Sequence, residues 1–341
     1  MDTQNSKGDV YAFIISEGLL GKDQAMITAV NSDYEVIDGY FSNSDGGEVL
    51  GDNATDAKIS NDTLFVLLSG SAALVLVDIE TGNELGAIQF PEGATPRHFD
   101  FWEEKLYVTD LYKDIIWEVN LINNDIRVFA QTGPSPEAIV IVGGQAYVAN
   151  TGLGQLRMDE ENASTIAIID MASGATDYVE SGVNVESLVV SSDGSKLYAG
   201  YLSFWWIDEG STNENPVNQG GIIEYSLPDM RPLRSWKSTP LSMEITQDGR
   251  EIYLMNSDGL SKIAPFSPNE VVEVVKENPL SNEVGGDKWY GLGVDNSRGD
   301  IWICNGMDYS RPGEILVVSA GNGSVISRVP TGYLPNKVLF P

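Results

Sequence analysis

Arg97, Glu137 and Glu186 lie forty and forty-nine residues apart, and each opens a short apolar segment that leads into one recurring phrase. Two carboxylates beside a guanidinium can hold a polar ligand through charge-assisted hydrogen bonds, and they can equally neutralise one another as an internal ion-pair plug. A carboxylate with a raised pKa could also act as a general base, which makes Glu137 or Glu186 the candidate in a lyase or hydrolase reading. The corresponding positions of the other repeats are Thr55, Ser242, Tyr290 and Asn336, so the candidate polar set has one side chain per repeat. His98, beside Arg97, is the only histidine. It could ligate a metal or act as a base, yet a lone histidine reads first as a hydrogen-bonded structural residue. Its solitude excludes multi-histidine metal sites. A Ser-His-Asp arrangement could be built only through His98, and no serine stands in a nucleophile-elbow context. No catalytic residue, metal ligand or cofactor is therefore assigned.

Aromatic residues gather at the ends of the same phrases or in the loops beside them: Trp205, Trp206, Trp289, Tyr290 and Tyr309, with Tyr112, Tyr201, Phe204 and Tyr333. Trp205-Trp206 is the sharpest case, because two large apolar surfaces in a loop rich in Asp, Glu and Asn are costly if exposed. They either fold back over the neighbouring strands or wall a site for a bulky ligand that needs broad apolar contact and few polar anchors. Trp102 and Trp117 fall at strand positions and read as packing residues. The acid-rich stretches at 159–161, 208–209 and 295–300 match no calcium-loop pattern and read as turns.

The elements that must position these residues repeat. LYVTD (106–110), AYVAN (146–150), LYAGY (197–201), IYLMN (252–256) and IWICN (301–305) are copies of one apolar strand, and LFVLL (64–68) and AFIIS (12–16) are looser ones. The period is that of propeller blades, in which each sheet buries its apolar face against its neighbours. The clearest unit parses as strands at 137–142, 146–150, 165–169 and about 177–180, with turns at Gly143-Gly144 and 172–174. Four strands per repeat and seven second strands predict an all-β, seven-bladed β-propeller of four-stranded antiparallel blades. Residues 336–340 read as a first strand with no second strand after it, and 10–16 as a second strand with no first before it. Pairing them completes a blade from N-terminal and C-terminal strands and removes an open edge. Insertions at 151–164, 203–220 and 306–312 all fall between second and third strands, where long loops can carry function. The expected organisation is a disordered linker over 1–9 and one domain over 10–341.

A net charge of −30, from 50 acidic and 20 basic residues, repels phosphate backbones and anionic lipid, so neither nucleic-acid binding nor insertion of the domain into a membrane is expected. No apolar run approaches the roughly 18 residues that span a bilayer. The start, Met1 followed by a polar stretch over 2–8, reads as a cytosolic beginning or as a methionine joined to a mature domain. The single cysteine, Cys304, excludes an internal disulfide and reads as a buried thiol within a strand.

The phrase LYVTD with its upstream proline, and VDIETG at 77–82, resemble the YVTN-repeat β-propellers, and FIISEGLLGKDQAMITAVN at 13–31 resembles the opening of a bacterial subgroup of that family. The resemblance implies a surface or periplasmic lipoprotein of Bacteroidetes, some members of which capture cobalamin or ferric siderophores beside a TonB-dependent transporter. It implies a small-molecule capture role. With the residues above, the expectation is a monomeric, non-enzymatic protein that binds a bulky small molecule at the loop-rich mouth, the tryptophans and tyrosines giving apolar contact and Arg97, Glu137, Glu186 and Asn336 orienting polar groups. A surface-layer or protein–protein interaction role stands as the alternative, and a lyase or hydrolase as a third reading.

Overall fold

The computed structural model describes residues 10–154, 156–202, 204–205, 216–218, 220–256, 259–265, 270–275 and 288–341. It is a seven-bladed β-propeller of antiparallel sheets, with no helix among the described residues. Blades I to VI follow one another along the chain as four-stranded meanders, beginning at the inner strands Ala54–Ser60, Pro96–Trp102, Pro136–Val142, Val185–Val190, Ser242–Ile245 and Trp289–Asp295. Blade VII is assembled from both ends of the chain: Pro335–Leu339 pairs with Val10–Ser16, which pairs with Met26–Asn31. Its fourth position is a single bridge, Val30 to Val36.

Burial explains why the second strand is the phrase that stands out in the sequence. Thr63–Leu68, Lys105–Asp110, Gln145–Asn150 and Asp300–Asn305 are buried at every position after the first, so both of their faces demand apolar or fully partnered side chains. An outer strand such as Glu84–Gln89 has one wet face and reads as an irregular mixture. In blades I and III the turn between third and fourth strands is fixed by an aspartate. Asp78 Oδ1 accepts the backbone N–H of Thr81 at 2.7 Å, and Asp170 Oδ1 accepts that of Ser173 at 2.8 Å. Gly82 and Gly174 then take the positive φ that closes each turn.

The chain divides into two compact units. The first comprises residues 1–93, 257–259 and 274–341 and holds blades I, VI and VII. Along Val10–Ser16 successive side chains point to opposite faces. Phe13 and Ile15 pack with Leu64 and Val66 of blade I, while Ala12 and Ile14 pack with Trp302, Cys304 and Val317 of blade VI. Cys304 is a buried thiol, as its strand setting predicts.

The second unit, residues 94–256 and 260–273, holds blades II to IV and most of blade V. The same alternation links its sheets. Ala146 and Val148 face Tyr107 and Ile116, whereas Tyr147 and Ala149 face Leu197 and Tyr225. Trp117 is buried, and its indole Nε1 donates to Asp110 Oδ2 at 2.9 Å. The insertion at 203–220 contains a two-stranded ribbon, Phe204–Trp205 with Pro216–Asn218.

Candidate functional site

Six of the seven inner strands carry an irregularity at the same place, just inside their first residue. Pairing with the second strand slips between Ala54 and Asp56, Pro96 and Phe99, Pro136 and Ile139, Val185 and Ser187, Trp289 and Gly291, and on Pro335–Leu339 between Pro335 and Lys337. Each slip is a β-bulge, which takes a residue out of the ladder and re-aims its side chain. The residues so released are Thr55, Arg97 with His98, Glu137 with Ala138, Glu186, Tyr290 and Asn336, which include the inner-strand candidates apart from Ser242. Ser242 pairs regularly with Met255 at the start of its strand. Left-handed backbone at Asn53, Ser135, Asn184 and Leu334 turns the chain into four of these strands immediately before the bulge.

In the second unit the bulges bring four ionisable groups together. Arg97 Nε donates to Glu137 Oε2 at 2.9 Å, and His98 Nε2 lies 3.5 Å from the same oxygen. Thr109 Oγ1 fixes the pair of strands, lying 3.0 Å from both the His98 backbone N and the Glu137 carbonyl. Burial pushes the Glu137 carboxyl upward, but the Arg97 charge and the hydrogen bonds from His98 and Arg97 outweigh it, so Glu137 stays ionised below the usual range. Glu186 has no such cover: no hydrogen bond or ion pair to its side chain is formed among the described residues. Burial, reinforced by the negative charge of Glu137, pushes its carboxyl up to about 7. The cluster therefore holds one satisfied ion pair and one carboxyl poised between its two protonation states near neutrality.

The pairing has a measurable consequence. Glu137→Gln removes the anion that Arg97 faces, and is expected to cost about 2–4 kcal/mol in chemical denaturation. In the same variant the Glu186 carboxyl, relieved of a neighbouring charge, should titrate at a lower pH when followed by carbon NMR.

The first unit presents a different set. Tyr290 Oη donates to Glu17 Oε2 at 3.0 Å, and Asn336 Nδ2 donates to Glu17 Oε1 at 3.1 Å and to the Ala54 carbonyl at 2.8 Å. Thr55 Oγ1 and Asn336 Oδ1 are buried without a hydrogen-bond partner among the described residues. Tyr290 and Tyr309 meet edge-on at 6.1 Å between ring centres and remain 38% and 44% exposed. Glu17 is the residue that sequence reasoning missed. It sits one place after the second-strand phrase of blade VII, and scanning that position in every repeat would have marked it.

The remaining candidates divide. Trp289 is a buried side chain, only 6% exposed. Trp205 stands in the ribbon of the 203–220 insertion, and Trp206 lies outside the described residues, as does the linker at 1–9. The 151–164 insertion leaves Asn150, the partner of Pro136 beside Glu137, and so lies at the bulged end of blade III. Arg157 pins it there, bonding Asp114 Oδ2 at 2.6 Å and Glu160 Oε2 at 2.7 Å. Tyr112 and Leu156 are left 61% and 80% exposed on the same loops. Among the described residues no three His, Cys, Asp or Glu side chains are gathered as a metal site.

No protein-family model and no curated protein matches the chain. Solved structures do. A quinoprotein alcohol dehydrogenase-like protein from Bacteroides thetaiotaomicron superposes with a TM-score of 0.70 at 16% identity, over 98% of this chain and 78% of that one. The likeness is one of fold. A periplasmic gluconolactonase from Pseudomonas aeruginosa gives a TM-score of 0.68 at 13% identity, covering 97% of this chain and 99% of its own. Hydrazine synthase from Kuenenia stuttgartiensis gives 0.62 at 18% identity, covering 83% and 88%. These neighbours share blades and differ in chemistry, so the bulged residues, not the fold, must carry the functional argument.

Proposed function

We propose that the chain is a non-enzymatic binding protein that captures a bulky small molecule at the bulged, loop-bearing ends of its blades. The observation that carries this reading is the repeated bulge. It turns a polar or aromatic side chain out of the ladder in six blades, and in the second unit it leaves the Glu186 carboxyl unpaired beside the Arg97–Glu137 pair. A ligand that places a hydrogen-bond donor on Glu186 and apolar surface on tyrosines or tryptophans fits that chemistry. The resemblance to YVTN-repeat proteins narrows the candidates to cobalamin, a ferric siderophore or a similar compound. It also suggests a setting at the cell surface or in the periplasm beside a TonB-dependent transporter. The test is a tryptophan-fluorescence titration of the pure protein with cobalamin, ferric siderophores and haem, corrected for ligand absorbance. One of them should quench saturably, and Glu186→Ala or Arg97→Ala should weaken that binding about tenfold or more. No response to any of the three would overturn capture and leave the partner-binding role, testable by pull-down from outer membranes.

A second reading rests on the same carboxyl. A group titrating near 7 is suited to general acid–base work, and a gluconolactonase shares the fold. Hydrolysis of gluconolactone that disappears in Glu186→Gln would favour it; ligand retention without turnover would exclude it.

A further inference from the structure

A cavity of about 500 Å³ lies in the second unit at the end of blades II and III opposite the bulges. Its place follows from pairing: Pro96 meets Asp110 at the bulged end, whereas Trp102 meets Lys105 at this one. The half-buried Trp102 and Phe129 supply its apolar walls, and the turn Gly143-Gly144 of the next blade supplies a side without Cβ atoms, Gly143 facing open space.

Both cations of its lining are already paired. The buried Glu118 carboxylate takes Lys105 Nζ at 3.0 Å, and Arg127 Nε and Nη2 at 2.9 and 2.8 Å. Tyr107 Oη lies 3.3 Å from the same group. This ladder belongs to the fold, because blade IV repeats it with Lys196, Glu224 and Arg234. There, however, Ser191 faces Lys196 where blade II has Trp102 facing Lys105. Trp102 is thus an addition to a structural ladder, not part of it.

We propose that this cavity is a second ligand site, for a neutral saccharide of one or two rings seated on Trp102. A pyranose has an apolar face that suits the indole and a rim of hydroxyls that suits the spare N–H groups of Lys105 and Arg127 and the free lone pairs of Asp170. The volume falls within the range of small-molecule sites. An anion is disfavoured, since both cations are spoken for by Glu118 while Glu103 and Asp170 add negative charge to the lining. This inference is independent of capture at the bulged end.

The test uses the full chain labelled with 5-fluorotryptophan, whose seven tryptophans give seven fluorine resonances. Trp102→Phe identifies the signal of Trp102. Titration with maltotetraose, cellotetraose and N-acetylchitotetraose should move that signal saturably with at least one of them. Arg127→Ala should weaken the binding about tenfold; this side chain is 66% exposed, so the variant keeps its fold. A Trp102 resonance unmoved by all three sugars overturns the proposal, and so does one moved by sulfate alone.

Discussion

Gly291→Ala is expected to lower the unfolding free energy by about 3–5 kcal/mol. A Cβ at position 291 would stand 2.1 Å from the carbonyl oxygen of Asn336 and 2.7 Å from its carbon. Both atoms are backbone, so no rotamer change relieves the collision. Gly291 follows the bulged Tyr290, and Asn336 is the bulged residue of the strand beside it. Separating the two strands would also pull apart the Tyr290–Glu17–Asn336 hydrogen bonds. Chemical denaturation checks the loss. Gly321→Ala is the control, because its Cβ would meet nothing nearer than the Ser319 hydroxyl at 3.7 Å; it should stay within about 0.5 kcal/mol of the parent.

Glu186→Gln should act in the other direction and depend on pH. The folded chain holds this carboxyl at about 7, against an ordinary value of 4.5. Between those values the folded state keeps a proton that the unfolded state has released, so the contribution of Glu186 to stability falls as pH rises through the window. It is fully present below pH 4.5 and lost above 7. Glutamine mimics the protonated form at every pH. The variant should therefore match the parent near pH 4 and exceed it by about 2 kcal/mol at pH 8, allowing for partial solvent access. Paired thermal melts at the two pH values measure the difference. Equal gains at both would show that the carboxyl is already ordinary and that the variant acts through packing.

What the sequence revealed depended on how many faces of a strand are buried. LYVTD and IWICN are legible because both faces of the second strand are enclosed, which leaves little freedom in residue type. Counting from those phrases also put Arg97, Glu137 and Glu186 at inner-strand starts and a strand at 336–340, which the structure sets at Pro335–Leu339. The bulges themselves were not legible. A slipped pairing changes the direction of one side chain and leaves the apolar pattern on either side intact. Trp102 packs against the core around Tyr107 and Ile139, as its spacing predicts; the cavity that the glycine turn of the following blade leaves against it has no signature in that spacing. Glu17 was overlooked because the chemistry was sought at inner-strand starts, whereas this carboxylate comes from the end of a second strand.

The blade assembled from both ends of the chain has a mechanical meaning. In its antiparallel pair Phe13 lies opposite Leu339 and Ile15 opposite Lys337, so the beginning of one strand and the end of the other leave at the same edge. Tension drawn between the two ends would not load these hydrogen bonds together in shear. It would peel them apart in succession, starting at Phe13 and Leu339, so the seam resists stretching least where the chain is most easily held.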